Sequence, residues 1–198
     1  MNIADRIATL SSLRAEMNKG KQPFPTSRIK VGAILFKAFA CSYDDGSSEV
    51  ELQEWHVRTI AKKRGSQTRR GRKLDSNYYD QRTYVYVIQK IKGVTWGKLS
   101  RKNGDFGWLK SISKNFRESF AVGEPLPKGM FTTKQAAFKF AIKEHEARIK
   151  RVRAYIKEEE DPEEIADLGV DLSEYEKELK LLKSRLTRVK NAEKKEKK

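Results

Sequence analysis

Two runs of apolar residues in the C-terminal third constrain the fold of this chain more than anything else in it. Phe138, Ile142, His145, Ile149, Val152 and Ile156 follow one another at steps of 4-3-4-3-4, and Tyr175, Leu179, Leu182, Leu186 and Val189 at steps of 4-3-4-3. Alternating threes and fours place side chains on one stripe of an α-helix, and such a stripe has to be covered by an apolar partner. Two stripes of similar length joined by a short connection predict an antiparallel, coiled-coil-like helical hairpin, each arm roughly 25 residues or ~38 Å long at 1.5 Å per residue. Thr132 with Gln135 gives the first arm a capping box, and Ser173 with Glu176 gives one to the second. "DPEEIADLGVDL" reads as the interruption between the arms, and "NAEKKEKK" as a frayed basic tail.

The first two thirds of the chain carry strand signals. "RTYVYVIQKIKG" is β-branched and aromatic, with Tyr84 and Tyr86 on one face and Val85 and Val87 on the other, so the valines suit a core and the tyrosines a surface. "EVELQEWHVRTI" alternates, placing Trp55, Val57 and Thr59 together and His56, Arg58 and Ile60 opposite. "SRIKVGAILFKAFACSY" precedes it across the turn signal "DDGSS", which favours a hairpin. "VTWGKLS" and "FGWLKSIS" flank "RKNGD" and are expected to continue the sheet. Ile3, Ile7, Leu10 and Met17 fall on one face of a helix over about 2–19, stopped at Gly20. The expected class is therefore α+β: a small antiparallel sheet of about four or five strands carrying the N-terminal helix, followed by the helical hairpin. The domains are expected to be an α+β body over 1–130, with a basic loop at 62–81, and the charged hairpin over 131–198.

Charge is the strongest pointer to function. The 198 residues hold 43 Lys and Arg against 27 Asp and Glu, a net +16. Residues 1–57 are neutral (7 of each sign), residues 58–130 carry 18 basic and 5 acidic, and residues 131–198 carry 18 and 15. Nearly all of the excess thus lies in the middle third. It opens with a stretch in which eight of the sixteen residues from Arg58 to Lys73 are basic and none is acidic. Uncompensated charge of this density suits a polyanion, whose phosphates it can track while releasing condensed counterions. Interleaved aromatics supply faces on which bases can stack. The candidate nucleic-acid-binding residues are Arg58, Lys62, Lys63, Arg64, Arg69, Arg70, Arg72, Lys73, Tyr84, Tyr86, Lys98, Arg101, Lys102 and Lys110. Trp96, Phe106 and Trp108 are assigned mainly to the core.

Other chemistries find little support. The single cysteine, Cys41, excludes an internal disulfide and a four-cysteine metal site, and it reads as a small buried residue. His145 sits on the first seam and reads as a packing histidine. His56 has no ligand-spaced partner, Asp44 and Asp45 belong to a turn, and no phosphate-binding glycine motif or Gly-x-Ser-x-Gly is present. No metal or other cofactor is expected. The N-terminus lacks the pattern of a signal peptide and no apolar run reaches the ~20 residues of a membrane span, so no membrane partner and a cytoplasmic location are expected. The leading expectation is a non-enzymatic protein that binds DNA or structured RNA. The alternative is an interaction module, such as a phage-type inhibitor or adaptor. It would take an acidic protein or a nucleoprotein complex on its hairpin and basic face, or form a homodimer through residues 133–195.

Overall fold

The computed structural model describes residues 3–62, 68–69, 72–73, 82–91, 96–98, 106–108 and 113–196. Helix α1 spans Ile3–Met17, followed by strands β1 (Ile34–Ser42), β2 (Ser48–Lys62), β3 (Thr68–Arg69), β4 (Arg72–Lys73) and β5 (Thr83–Gln89). Then come β6 (Trp96–Lys98), β7 (Phe106–Trp108) and β8 (Arg117–Ala121), and finally helices α2 (Lys134–Glu158) and α3 (Pro162–Glu196). The class is α+β. Strands β1, β2, β5 and β8 form a four-stranded antiparallel sheet in that order. β6 was expected to continue this sheet, but among the described residues it pairs with β7, Trp96 opposite Trp108, in a separate two-stranded sheet. The sheet position beside β5 is taken by β8, with Val85 opposite Phe120 and Tyr86 opposite Ser119. Within the expected loop 62–81, β3 and β4 also pair, Arg69 opposite Arg72.

The chain divides into two compact units, Met1–Leu35 with Glu54–Lys128 and Phe36–Gln53 with Gly129–Lys198. In the first, Val57, Val85 and Val87 are fully buried with Leu35 and Leu126, and Trp55, Ile29, Phe120 and Ala121 are nearly so. Phe24 meets the Phe120 ring edge-on, with centroids 6.1 Å apart. The backbone N–H of Gly32 donates to the Val57 carbonyl at 2.8 Å, and that of Val57 to the Ala33 carbonyl at 2.8 Å. Gly32 adopts φ 87°, which a side chain would resist. The segment after α1 therefore supplies apolar side chains to this core, and α1 supplies none. The helix forms where its periodicity predicts, but none of its residues is buried, and Ile3 and Met17 are 76% and 72% exposed. The expectation that the sheet carries this helix is thus corrected.

The second unit begins with the β1–β2 hairpin. Its turn is held by Asp45, whose Oδ1 accepts from the Ser47 N–H at 2.9 Å and from its hydroxyl at 2.6 Å, while Gly46 takes φ 75°. Those two donors also hold the Asp45 carboxyl below the usual carboxylate range. Cys41, expected to be buried, is only half-buried, near the turn end of β1. Phe36 and Phe131 exchange two backbone hydrogen bonds, at 2.8 and 2.9 Å. The core gathers Ala38, Ala137, Phe138, Ala141 and Leu182, flanked by Phe36, Val50, Leu52 and Ile142.

Helix α2 starts one residue later than its capping box suggested: Thr133 is the N-cap and accepts from the Ala136 N–H at 3.3 Å. Helix α3 departs more from expectation. It runs 35 residues from Pro162, through the supposed interruption and most of the supposed frayed tail. Asp161 caps it, accepting from the Glu163 N–H at 2.9 Å on its side chain and from the Ile165 N–H at 2.9 Å on its carbonyl. Proline at the first helical position loses no needed donor, and Glu163 and Glu164 favour the positive end of the helix dipole. "DPEE" is thus a helix start. Glu146 pairs with Lys183 at 2.9 Å and Arg153 with Glu176 at 2.7 Å, so partner numbers fall along α3 as they rise along α2 and the helices run antiparallel. Among the described residues no helix is long and apolar enough to cross a membrane.

Leu182 is fully buried against Phe138 and three alanines, so truncation leaves a cavity that the alanines cannot fill. Leu182→Ala is expected to cost about 2–5 kcal/mol in urea denaturation followed by circular dichroism. Leu181→Ala, at a neighbouring position 38% exposed, is expected to cost less than about 1 kcal/mol.

Candidate functional site

The pleat of β5 sets the geometry of the first unit's outer surface. With Val85 and Val87 at zero exposure, Tyr84 and Tyr86 are turned to the opposite face, half-buried, their rings 6.5 Å apart and tilted by 40°. The Arg82 guanidinium lies 5.6 Å from the centre of the Tyr84 ring, donates to its hydroxyl at 2.9 Å and pairs with Glu124.

Strand β2 approaches this surface through an irregularity. Val57 stands opposite Val87, but the next paired residue is Thr59, opposite Tyr86, so Arg58 is an extra residue in the ladder. A bulge of this kind bends a strand and re-aims its side chains. It overturns the simple alternation expected from sequence, in which Thr59 shared a face with Val57. Thr59 is instead aligned with the tyrosine row, and Arg58, Thr59, Tyr86, Arg117 and Glu118 line one depression of about 290 Å³. Beyond the bulge, Ala61 faces Tyr84 and Lys62 faces Thr83. The connection from β2 to β5, which carries the densest basic stretch, therefore leaves and re-enters the sheet at its Tyr84 end.

Of the candidate residues, the structure brings together Arg58, Lys62, Tyr84 and Tyr86 on β2 and β5. Arg69, Arg72, Lys73 and Lys98 are described in their backbone pairing only. Lys63, Arg64, Arg70, Arg101, Lys102 and Lys110 lie outside the described residues. Arg82 and Arg117 were not among the candidates. Arg82 could have been found two residues before Tyr84 on the same strand face. Arg117 had no such signal, because it reaches the site on β8, a strand that sequence reading did not detect.

His56 borders this unit's core, 3.7 Å from the Glu54 carboxylate, which also binds Lys90 at 3.3 Å. Burial, reinforced by the Lys90 charge, pushes its imidazole below the usual histidine range against the opposing pull of Glu54. His56 is thus suited to packing and not to holding a proton near neutrality. Among the described residues no three His, Cys, Asp or Glu side chains are arranged to hold a metal ion.

The second unit contains a polar cluster that was not foreseen. His145 and Glu178 are the buried polar side chains, with Nε2 and Oε2 2.8 Å apart. The His145 Nδ1 meets the Ala141 carbonyl at 3.1 Å, and the Ser42 hydroxyl donates to the other Glu178 oxygen at 3.1 Å. A carbonyl can only accept, so Nδ1 carries a hydrogen, and the short Nε2–Oε2 contact requires a further proton between ring and carboxyl. The cluster is closed to solvent and reads as a structural ion pair. Only His145, as a packing histidine on the seam, was anticipated. Glu178 stands one position before the seam residue Leu179, where a carboxylate usually points to water.

Comparison with protein-family models, with curated proteins and with solved structures finds no match for the chain.

Two outcomes follow for these histidines. Glu178→Leu leaves His145 buried without its partner and is expected to cost about 3–5 kcal/mol in chemical denaturation, with the double change His145→Leu, Glu178→Leu recovering much of the loss. For His56 the folded state binds its proton more weakly than the unfolded chain. Stability contributed by the neutral ring is complete above the ordinary histidine value of about 6.5 and declines as pH falls below it. The urea midpoint is therefore expected to fall between about pH 7.5 and 5.5, and to fall less in His56→Gln. Equal slopes in the two proteins would show that His56 does not contribute.

Proposed function

We propose that the protein binds nucleic acid, DNA or structured RNA, without catalysing a reaction on it. One observation carries this reading: the segment with the greatest uncompensated positive charge is tethered at both ends beside the tyrosine row of the sheet. Basic residues from Lys62 to Lys73 follow the phosphates, with Lys98, Arg101, Lys102 and Lys110 supporting them. Arg58 and Arg117 extend the cationic surface across β2 and β8. Tyr84 and Tyr86 offer ring edges and faces to unpaired bases. Arg82, held by Glu124, orients Tyr84. Such a protein works where its polyanion is, and the cytoplasm is the proposed location.

Fluorescence anisotropy with duplex DNA, single-stranded DNA and RNA at several salt concentrations tests the reading. With about five phosphates engaged, log K is expected to fall with log salt at a slope near −4 to −5 for duplex. Changing Lys62, Lys63, Arg64, Arg69, Arg70 and Arg72 to Ser removes most of the affinity and flattens the slope. Tyr86→Ala is expected to weaken single-strand binding by about 1–3 kcal/mol per stacked base while leaving the slope unchanged. Absence of binding to all three probes at about 50 mM salt would refute the proposal.

A further inference from the structure

Helices α2 and α3 carry a groove of about 790 Å³ that the sheet surface does not involve. Its floor includes Ile149, which is buried, and Leu179, which is half-buried. Its rims carry Lys150, Arg153, Lys157, Lys180 and Lys183 against Glu146 and Glu176. The two acids are already used, Glu176 by Arg153 at 2.7 Å and Glu146 by Lys183 at 2.9 Å. Among the described residues, Lys150, Lys157 and Lys180 have no acidic partner within ion-pair distance.

The complement of this groove is present on the same two helices. Residues 158–171, at the end where α2 passes into α3, contain eight acidic residues and no basic one. Glu159 accepts from the N–H groups of Asp161 at 3.2 Å and Glu160 at 3.0 Å, which holds its own carboxyl below the usual range. The acidic end is also amphipathic. Ile165 and Leu168 are spaced for one helix face and half-buried, while Val170 is 60% exposed.

We propose that these helices form a homodimer in which the acidic end of each copy, residues 158–171, lies in the basic groove of the other. A two-fold axis lets both contacts form at once, because each copy brings one groove and one acidic end. The product is a local four-helix arrangement with Ile149 and Leu179 of one copy facing Ile165, Leu168 or Val170 of the other. A nucleic-acid backbone fits this groove less well. The eight acids beside it repel phosphate, and the groove offers an aliphatic floor with no aromatic ring for a base. The dimer does not depend on the proposed nucleic-acid binding, which uses the other unit, and its test omits nucleic acid.

Sedimentation velocity of the full chain across a concentration series provides the test. The expected result is a shift from 22.9 kDa to twice that mass as concentration rises, with the equilibrium moving toward monomer as salt screens the contact. Reversing the groove (Lys150→Glu, Lys157→Glu, Lys180→Glu) or the acidic end (Glu160→Lys, Glu163→Lys, Asp167→Lys) is expected to weaken association at least about tenfold. All six positions are exposed, and helix content by circular dichroism confirms folding. Mixed together, the two reversed proteins regain dimer, because each then offers what the other lacks. A wild-type chain that stays monomeric at every concentration overturns the proposal. So does a reversed protein that dimerises as well as the wild type, or a mixture of folded variants that remains monomeric. A wild-type dimer that salt leaves untouched overturns the charge complementarity even if a variant fails to fold.

Discussion

The first unit depends on a constraint of the β-pleat: Val85 and Val87 are buried completely, and the pleat turns the alternating Tyr84 and Tyr86 to the other face. Slipping β5 by one residue would place two tyrosine hydroxyls in the core and two valines outside it. The hydroxyls would then need partners that an apolar core does not supply. Burial of two small β-branched side chains therefore fixes the direction of Tyr84 and Tyr86, the approach of Arg82, and the end of the sheet at which the basic connection is anchored. The bulge at Arg58 is the local exception, adding a cation to the tyrosine side without disturbing the Val57–Val87 pair.

Charge in the two units is organised differently. In the first unit the basic excess belongs to the stretch that begins at the bulge, residues 58–130 holding 18 basic against 5 acidic side chains. In the second, basic and acidic residues are nearly balanced in number but segregated along the helices, with basic rims near the middle and an acidic end. Opposite charges four apart, Glu146 with Lys150 and Glu176 with Lys180, temper the basic rims only locally. The acidic end has no basic residue from 158 to 171, a length greater than the Debye length of about 8 Å at physiological salt.

Much of this was legible in the sequence, for identifiable reasons. The seams beginning at Phe138 and Tyr175 and the Tyr-Val alternation of β5 are patterns whose period alone fixes helix or strand, and the Asp45 turn carries its own side-chain acceptor. What escaped was decided by partners distant in the chain. "RESFA" is too short and too polar to announce a strand, and it becomes β8 because β5 has an edge to fill. The bulge at Arg58 is invisible without the register of the opposing strand. Helix α1 was legible as a helix, but its exposure was not, since periodicity states which face could be buried and not whether anything buries it. The start of α3 at Pro162 was misread because Asp-Pro can both end and begin a helix.

The His145–Glu178 pair has a consequence for alignment of the two long helices. Apolar seams are nearly degenerate under a slide of seven residues, since one aliphatic side chain replaces another at little cost. A slide that brought residue 185 to the place of 178 would set Arg185 against a ring already donating at Nδ1. The opposite slide would bring Asp171, a shorter acid, and either would move Glu178 away from both His145 and the Ser42 hydroxyl. A buried polar contact among aliphatic ones thus acts as an index mark, favouring one register out of several that the leucines and valines would accept.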